Sequence, residues 1–395
     1  MSWPLVSLSS IAEVVTGNTP SKADEYFFGG DIPFVSPSEL DLGYVSSSKQ
    51  TLTAKGASVS RLIPADSVMV CCIGSLGKVG ISSIPVVTNQ QINSLVVNQE
   101  VAYPLYVYYF CKTLKNTLND MAPKTTVAIV NKTKFSALKI PLPSLETQKQ
   151  IAAVLEKADQ LRKDCQQMEQ ELNNLAQSVF IDMFGDPVTN PKGWDVRDIG
   201  STFALLTDYH ANGSYEILQE NVSLSNEGYA LMVRTTDLEK NNFTDSVNYI
   251  SEHAYNYLTK TKVYGNELVV NKIGSAGKVY LMPILNRPVS LGMNQFMIRL
   301  IEDKANPVFM YYLLTSKGGI QAIQKKVKGA VTKTIRKDAL REIELPIPPK
   351  HKQDEFSQFI DQHKRLLDDQ KSLKEHYEQS FNSLMQKAFK GELTL

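Results

Sequence analysis

Little in this 395-residue chain points to chemistry of its own. No run of eighteen or more apolar residues occurs, so no membrane span is expected. The opening MSWPLVSLSS has no basic stretch followed by an apolar one, which sets a secretory leader aside. Cysteine is scarce: four residues, Cys71, Cys72, Cys111 and Cys165, with no CxxC spacing. They read as reduced thiols of a cytoplasmic protein, not as a disulfide framework or zinc ligands. All five histidines (His210, His253, His351, His363, His376) fall in the second half, without the HExxH type of metal spacing. There is no GxSxG elbow, no Gly-rich dinucleotide fingerprint, and no Asn/Asp-Pro-Pro-aromatic box of the kind amino-methyltransferases use. GSLGKV and GSAGKV share letters with a phosphate loop but lack its four-residue gap and its Lys-Ser/Thr ending. They read as strand-turn-strand corners with Lys78 and Lys278 on the rim. Net charge is missing too. Lys and Arg number 42 against 41 Asp and Glu, so any surface for a polyanion has to be local.

What the sequence does contain is itself, twice. SVMVCCIGSLGKVGI at 67–81 returns as ELVVNKIGSAGKVYL at 267–281. PFVSPSEL (33–40) pairs with LMVRTTDL (231–238), and Asn89-Gln90 with Asn294-Gln295. YPLYVYYF (103–110) pairs with NPVFMYYL (306–313), and IPLPSLETQKQI (140–151) with LPIPPKHKQDEF (345–356). The two tryptophans, Trp3 and Trp194, each open a copy. The period is far too long for a solenoid, so a whole domain with its helix has been duplicated.

Each copy has short Val/Ile/Phe/Tyr-rich runs broken by Gly, Pro, Ser and Asn (32–35, 67–73, 92–97, 231–233, 266–273), which read as strands. The segments 104–120 and 307–325 read as helices that begin on proline. The expected fold is α/β (mixed α+β). A first domain spans 1–143, a long central helix 144–185, a second domain 186–348, and a long C-terminal helix 349–395. Ser144 is a candidate N-cap. Ile151, Val154, Ala158, Leu161, Cys165, Met168, Leu172, Leu175 and Val179 alternate by three and four, the spacing of a coiled-coil seam. Phe356, Phe359, Ile360, Leu366, Leu367, Leu373, Tyr377, Phe381 and Leu384 supply a less regular stripe, with His363 and Gln370 at seam positions. The two helices are expected to pair with each other, antiparallel.

The duplicated set, in order, is the IPFVSPSEL block, the IGSxGKV turn with a downstream Asn-Gln, and the IPLPSLETQKQI entry into a helix closing near FIDMFGD and AFKGEL. From about Trp3 to about Gly391 it resembles the DNA specificity subunit of a Type I restriction–modification system. The resemblance implies two target-recognition domains with internal pseudo-twofold symmetry. Each would read one half of a bipartite, asymmetric site in double-stranded DNA, with the helices as spacer. It also implies partners: two modification subunits that methylate adenine with S-adenosylmethionine, and two restriction subunits driven by ATP and Mg. The chain itself would be non-catalytic and hold no cofactor. Two other readings stay open, a coiled-coil adaptor without DNA binding and a fused methyltransferase, the latter opposed by the missing box.

Phosphate contacts call for Lys and Arg, and base reading for side chains with donors and acceptors at the groove. Candidates in the first domain are Ser36, Ser38, Lys78, Asn89, Gln90, Lys124, Thr125, Thr126 and Lys132. In the second they are Arg234, Thr235, Thr236, Lys278, Asn294, Gln295, Lys326, Lys328, Lys333, Thr334, Arg336 and Lys337. KKVKGAVTKTIRK at 325–337 is the best local basic patch. Arg234 and Arg336 have the geometry to pair with guanine, and Asn or Gln with adenine. The bland alternative for each Ser and Thr is a turn cap. Matching residues suit shared scaffold, while 41–66, 239–265 and 325–337 differ between copies and are where half-site identity is expected.

Overall fold

The computed structural model describes residues 3–41, 43–123 and 127–393. The candidates Lys124, Thr125 and Thr126 lie outside the described residues. The chain forms two compact units, one of residues 1–167 with 372–395, the other of 168–371.

In the first unit the β-branched runs become two larger sheets, beside a two-stranded one of Leu5–Ser7 and Lys139–Pro141. One runs in the order Ala12–Thr16, Ile92–Val97, Val68–Cys71, Val79–Ser82, Gly43–Val45. The other runs Gln50–Leu52, Phe28–Val35, Val86–Thr88, Leu62–Ile63. In the second unit the corresponding orders are Phe203–Asp208, Gln295–Leu300, Leu268–Asn271, Val279–Leu281, and Asn248–Ile250, Ala230–Val233, Val289–Leu291, Lys262–Val263. The GKV segments are antiparallel corners, Val70 facing Val79 and Val270 facing Val279. Gly74, Gly77, Gly274 and Gly277 all have φ between 77° and 85°, which a side chain would strain.

The expected 104–120 and 307–325 helices each break once. Pro104–Thr113 is followed by Lys115–Met121. Pro307–Thr315 ends at Ser316, whose extended backbone starts Lys317–Lys326 and whose hydroxyl accepts from Gly319 N at 3.0 Å. The nearly apolar first helix, Pro104–Thr113, is buried along most of its length against the sheet.

Two long helices follow, Leu145–Phe184 and Lys350–Lys390. Ser144 caps the first, its hydroxyl accepting from Thr147 N at 3.3 Å. Four residues on, the fully buried Gln148 accepts from Tyr103 N (2.8 Å) and donates to Pro143 O (2.9 Å) and Val101 O (3.3 Å). Gln353 repeats this in the second unit. It accepts from Asn306 N (2.8 Å) and donates to Pro348 O (2.7 Å) and Lys304 O (3.4 Å). Each amide thereby fixes the start of a long helix against the loop that opens the domain's own helix.

Within each unit two helical segments run side by side, antiparallel. In the first, Arg162 meets Glu378 (3.2 Å), and Phe381, Met385 and Ala388 enter the core beside Ile151, Ala152 and Leu155. In the second, His363 Nε2 is hydrogen-bonded to Leu172 O (2.6 Å), and Phe180, Phe184 and Phe356 share the core. Each helix therefore packs on domain cores as well as on its partner helix.

The seam differs from the expected one in a regular way. Ile151 and Phe356 are buried, and Leu172, Phe359 and Tyr377 are partly buried. Val154, Leu161, Met168 and Leu175, by contrast, are 39–48% exposed, and Leu366 and Leu373 are 56% and 42% exposed. The inward row is Leu155, Ala158, Arg162, Cys165, Glu169, Leu172, Ala176, still spaced by three and four. Half of the expected seam therefore lies one residue later. The cause is charge turned inward. The carboxylate of Asp159 is almost wholly buried and meets Arg162 (2.6 Å), Lys163 (2.9 Å) and Lys112 (3.8 Å). Burial pushes this carboxyl up, but the three cations outweigh burial and hold it below the usual range. Counting only apolar residues picks Leu161 and Met168 over their polar neighbours Arg162 and Glu169. Among the described residues no helix is long and apolar enough to cross a membrane.

Replacing Gln148 by Leu gives a side chain of similar size but leaves the half-buried Tyr103 N–H without its acceptor, at a cost of about 2 kcal/mol. Thermal unfolding of Gln148→Leu should fall several degrees below wild type, whereas the exposed Lys149→Ala should unfold with wild type.

Candidate nucleic-acid interface

Four loops of the first domain are laced into one surface by backbone hydrogen bonds. Asn89 N donates to Val35 O (3.0 Å), Cys72 N to Gln91 O (2.7 Å), Gly74 N to Ala128 O (2.9 Å), and Val130 N to Cys72 O (2.9 Å). This brings Ser36, Ser38, Asn89 and Gln90 together. Thr19 joins them, its hydroxyl donating to Gln90 Oε1 (2.6 Å). Gly17 lets that segment approach, since a Cβ there would lie 2.3 Å from Asn89 O.

Not every candidate there is free to reach outward. The Ser36 hydroxyl and N–H both donate to Glu39 (2.7 and 2.9 Å), the role of a turn cap. Burial pushes the Glu39 carboxyl up, but these bonds with Ser36 and Ser38 outweigh it and hold it down. Asn89 is folded onto Gln91, donating to Oε1 and accepting from its N–H, both at 3.0 Å. Ser38, Gln90 and Lys132 are exposed. Lys78, directly before the return strand, is paired with Asp41 (3.8 Å).

The second domain is laced in the same way. Gly292 N donates to Val233 O (2.8 Å), Lys272 N to Asn294 O (2.8 Å), Gly274 N to Lys333 O (3.1 Å), and Ile335 N to Lys272 O (3.1 Å). These matched bonds put Ser36 opposite Arg234 and Ala128 opposite Lys333. They also correct the sequence pairing of Asn89-Gln90 with Asn294-Gln295. In structural register Asn89 matches Gly292, Gln90 matches Met293, and Gln91 matches Asn294. The letters Asn-Gln slip by two positions because the loop is anchored where the strand ladder ends, whichever residue stands there.

Gln295 is buried in the strand opposite Asn271. With its amide oriented to satisfy both ends, it accepts from Thr235 N (2.8 Å) and donates to Val233 O (3.2 Å). It holds the 233–236 loop from inside. The Arg234 guanidinium grips the buried Asp237 through Nε (3.2 Å) and Nη2 (2.7 Å), and reaches Ser246 O (2.6 Å). Asp237 raises its affinity for the proton further. A bidentate pair with guanine through that edge would require this fork to open. Thr235 contacts Asn271 (3.3 Å), while Thr236 and Asn294 are exposed.

The basic run folds into a small arm. Lys328 and Thr334 exchange backbone bonds at 2.9 and 2.8 Å, and Val331 at the tip is 97% exposed. Lys328, Lys333 and Arg336 are exposed. Lys326 is paired with Glu342 (3.3 Å). Lys337 (2.9 Å) and Lys272 (3.1 Å) converge on the largely buried Asp208, both over the Phe296 ring. Burial pushes Asp208 up, but the two lysines hold it below the usual carboxylate range. Lys278 is paired with Glu239 (3.1 Å), which raises its ammonium.

Thr19, Gln91 and Lys272 were missed by sequence reasoning. Lys272 stands directly before the repeated IGS turn, and Gln91 directly after Asn89-Gln90, so widening each motif by one residue would have found both. Thr19 carries no local signal.

Twin α/β domains with identically laced but differently furnished loops define a duplicated recognition protein. The family model described as the Type I restriction modification DNA specificity domain matches twice, over residues 2–174 and 191–377. The chain belongs to this family. It is 27% identical over 289 residues to the MjaIX specificity subunit of Methanocaldococcus jannaschii, covering 68% of this chain and 65% of that protein, just under two thirds. Against the MjaVIII specificity subunit of the same organism it is 23% identical, covering 99% of this chain and 93% of that protein. Its fold is shared with the S subunit of a Type-I restriction-modification system from M. genitalium (TM-score 0.58, 14% identity, 98% and 96% of the two chains). It is also shared with a chain from a structure of type I R-M complex assembly and conformational transition (TM-score 0.62, 17% identity, 99% and 98%).

Lys328 and Lys333 are exposed cations on the arm, which suits phosphate contact. Replacing both with alanine should weaken DNA binding by the assembled complex alike on all sequences. It should also flatten the slope of log affinity against log salt by about 0.9 per lysine, as read from binding isotherms at several salt concentrations.

Proposed function

We propose that each domain reads one half of a bipartite, asymmetric DNA site, and that the long helices set the distance between the halves. The observation that carries this is the matched lacing with unlike side chains. Ser36, Gln90 and Gln91 stand in one domain where Arg234, Met293 and Asn294 stand in the other. Two copies of one frame with different surface chemistry suit two different half-sites, since phosphate contacts position a protein and base contacts specify the sequence.

In this reading the chain supplies no catalytic group and holds no cofactor. Two modification subunits bring S-adenosylmethionine and methylate adenine, and two restriction subunits bring ATP- and Mg-dependent activity. The modification subunits dock on the helices. In the first unit Val154 and Leu161 are exposed one heptad apart, and in the second Met168 and Leu175. A row of apolar side chains at that spacing is what a partner helix needs.

Methylome sequencing of a host with and without this chain tests the reading. A bipartite adenine-methylated motif should vanish on deletion, and its persistence would sink the proposal. The spacer is tested by inserting seven residues after Gln167 and seven after Lys371. Each insertion adds about 10.5 Å of helix at 1.5 Å per residue. At about 3.4 Å per base pair the gap in the motif should grow by about three base pairs.

A further inference from the structure

We propose that the second domain recognises a thymine by its C5-methyl group, taken into a hollow formed by Leu224, Met232 and Met293. This rests on the reading of the domains as half-site readers and adds which base edge one of them takes.

The hollow measures about 340 Å³, and Arg234, Thr236 and Asn294 stand on its rim. Met232 forms its buried floor, while Leu224 and Met293 are about half exposed, at 49% and 47%. Single apolar side chains on a surface need no explanation, but Leu224 and Met293 stand exposed together over a buried apolar floor within a polar loop cluster.

The backbone delivers Met293 to this place. Gly292 on one side of it is bonded to Val233, and a Cβ on Gly292 would sit 2.5 Å from Val233 O, so glycine is needed for the two loops to touch. Asn294 on the other side has φ of 66°, the left-handed bend that turns the chain back into the strand. Met293 is thus the tip of a tight, anchored loop. The same tip in the first domain is Gln90, an amide that accepts from Thr19. One scaffold position carries a hydrogen-bonding group in one domain and a thioether in the other.

Thymine alone among the four bases presents a methyl group in the major groove, with the O4 acceptor beside it. An apolar hollow next to an exposed amide matches that pair, the methyl going to Met293 and Leu224 and O4 accepting from Asn294. The polarisable, unbranched methionine side chain fits itself to such a group. Its rim carries donors suited to a base or phosphate.

The test uses the complex of this chain with its modification subunits, on duplexes carrying the site, with each thymine replaced in turn by deoxyuridine. Loss of one buried methyl corresponds to about 0.8 kcal/mol, or about fourfold in affinity. One thymine in the second half-site should show that loss with wild type and not with Met293→Ser. Deoxyuridine effects in the first half-site should be the same in both proteins. Met293→Ser is a surface change and should leave thermal unfolding unaltered. A second half-site without thymine, or none responding to deoxyuridine, or a response that survives Met293→Ser, overturns the proposal while leaving the two-domain reading intact. A complex that shows no bipartite site at all overturns both.

Discussion

Everything above each domain depends on one buried amide. Gln148 and its copy Gln353 are fully buried in the first turns of the long helices. Each satisfies a backbone N–H that opens the domain's own helix and two carbonyls nearby. An amide is well suited because it accepts and donates at fixed angles, and because a buried polar group is costly unless every partner is in place. The bond set leaves each long helix one direction in which to leave its domain. That direction decides where in each unit the returning helix can enter the core.

The two units use different means to hold that returning helix. In the first, Arg162 crosses to Glu378 with Phe381 beneath it, and Asp159 holds Arg162 from its own helix. In the second, Phe180, Phe184, Phe309, Tyr312 and Phe356 interlock edge to face, and His363 closes on a backbone carbonyl. The duplicated frame has kept its backbone and changed its chemistry, and the laced loops show the same pattern. Their anchoring bonds join main-chain atoms, so side chains there can change without moving the surface that carries them.

Much of this was legible in the sequence. The repeat, the strand-turn-strand corners, the helix entries at Pro143 and Pro348, and the mixed α/β class follow from patterns that survive duplication. The rest was hidden for physical reasons. The seam of the first long helix reads as apolar because hydrophobic spacing cannot see Asp159 drawing Arg162 inward. Asn89-Gln90 was aligned two positions off because residue identity, not the strand ladder, guided the pairing. Arg234 looked like a free guanine reader because its grip on Asp237 spans a turn that no letter announces. Met293 drew no attention at all, being an ordinary methionine until Gly292 and Asn294 turn it outward.

If each domain reads its own half-site, the two laced surfaces contact different halves of one stretch of DNA. Placing a photocrosslinking residue at Gln91 in one preparation and at Asn294 in another, then mapping the bases each captures in the assembled complex, tests it most directly. Crosslinks should fall in opposite halves of the bipartite site, one from each position. Crosslinks from both positions to the same half, or capture from neither while the complex is bound, would contradict it.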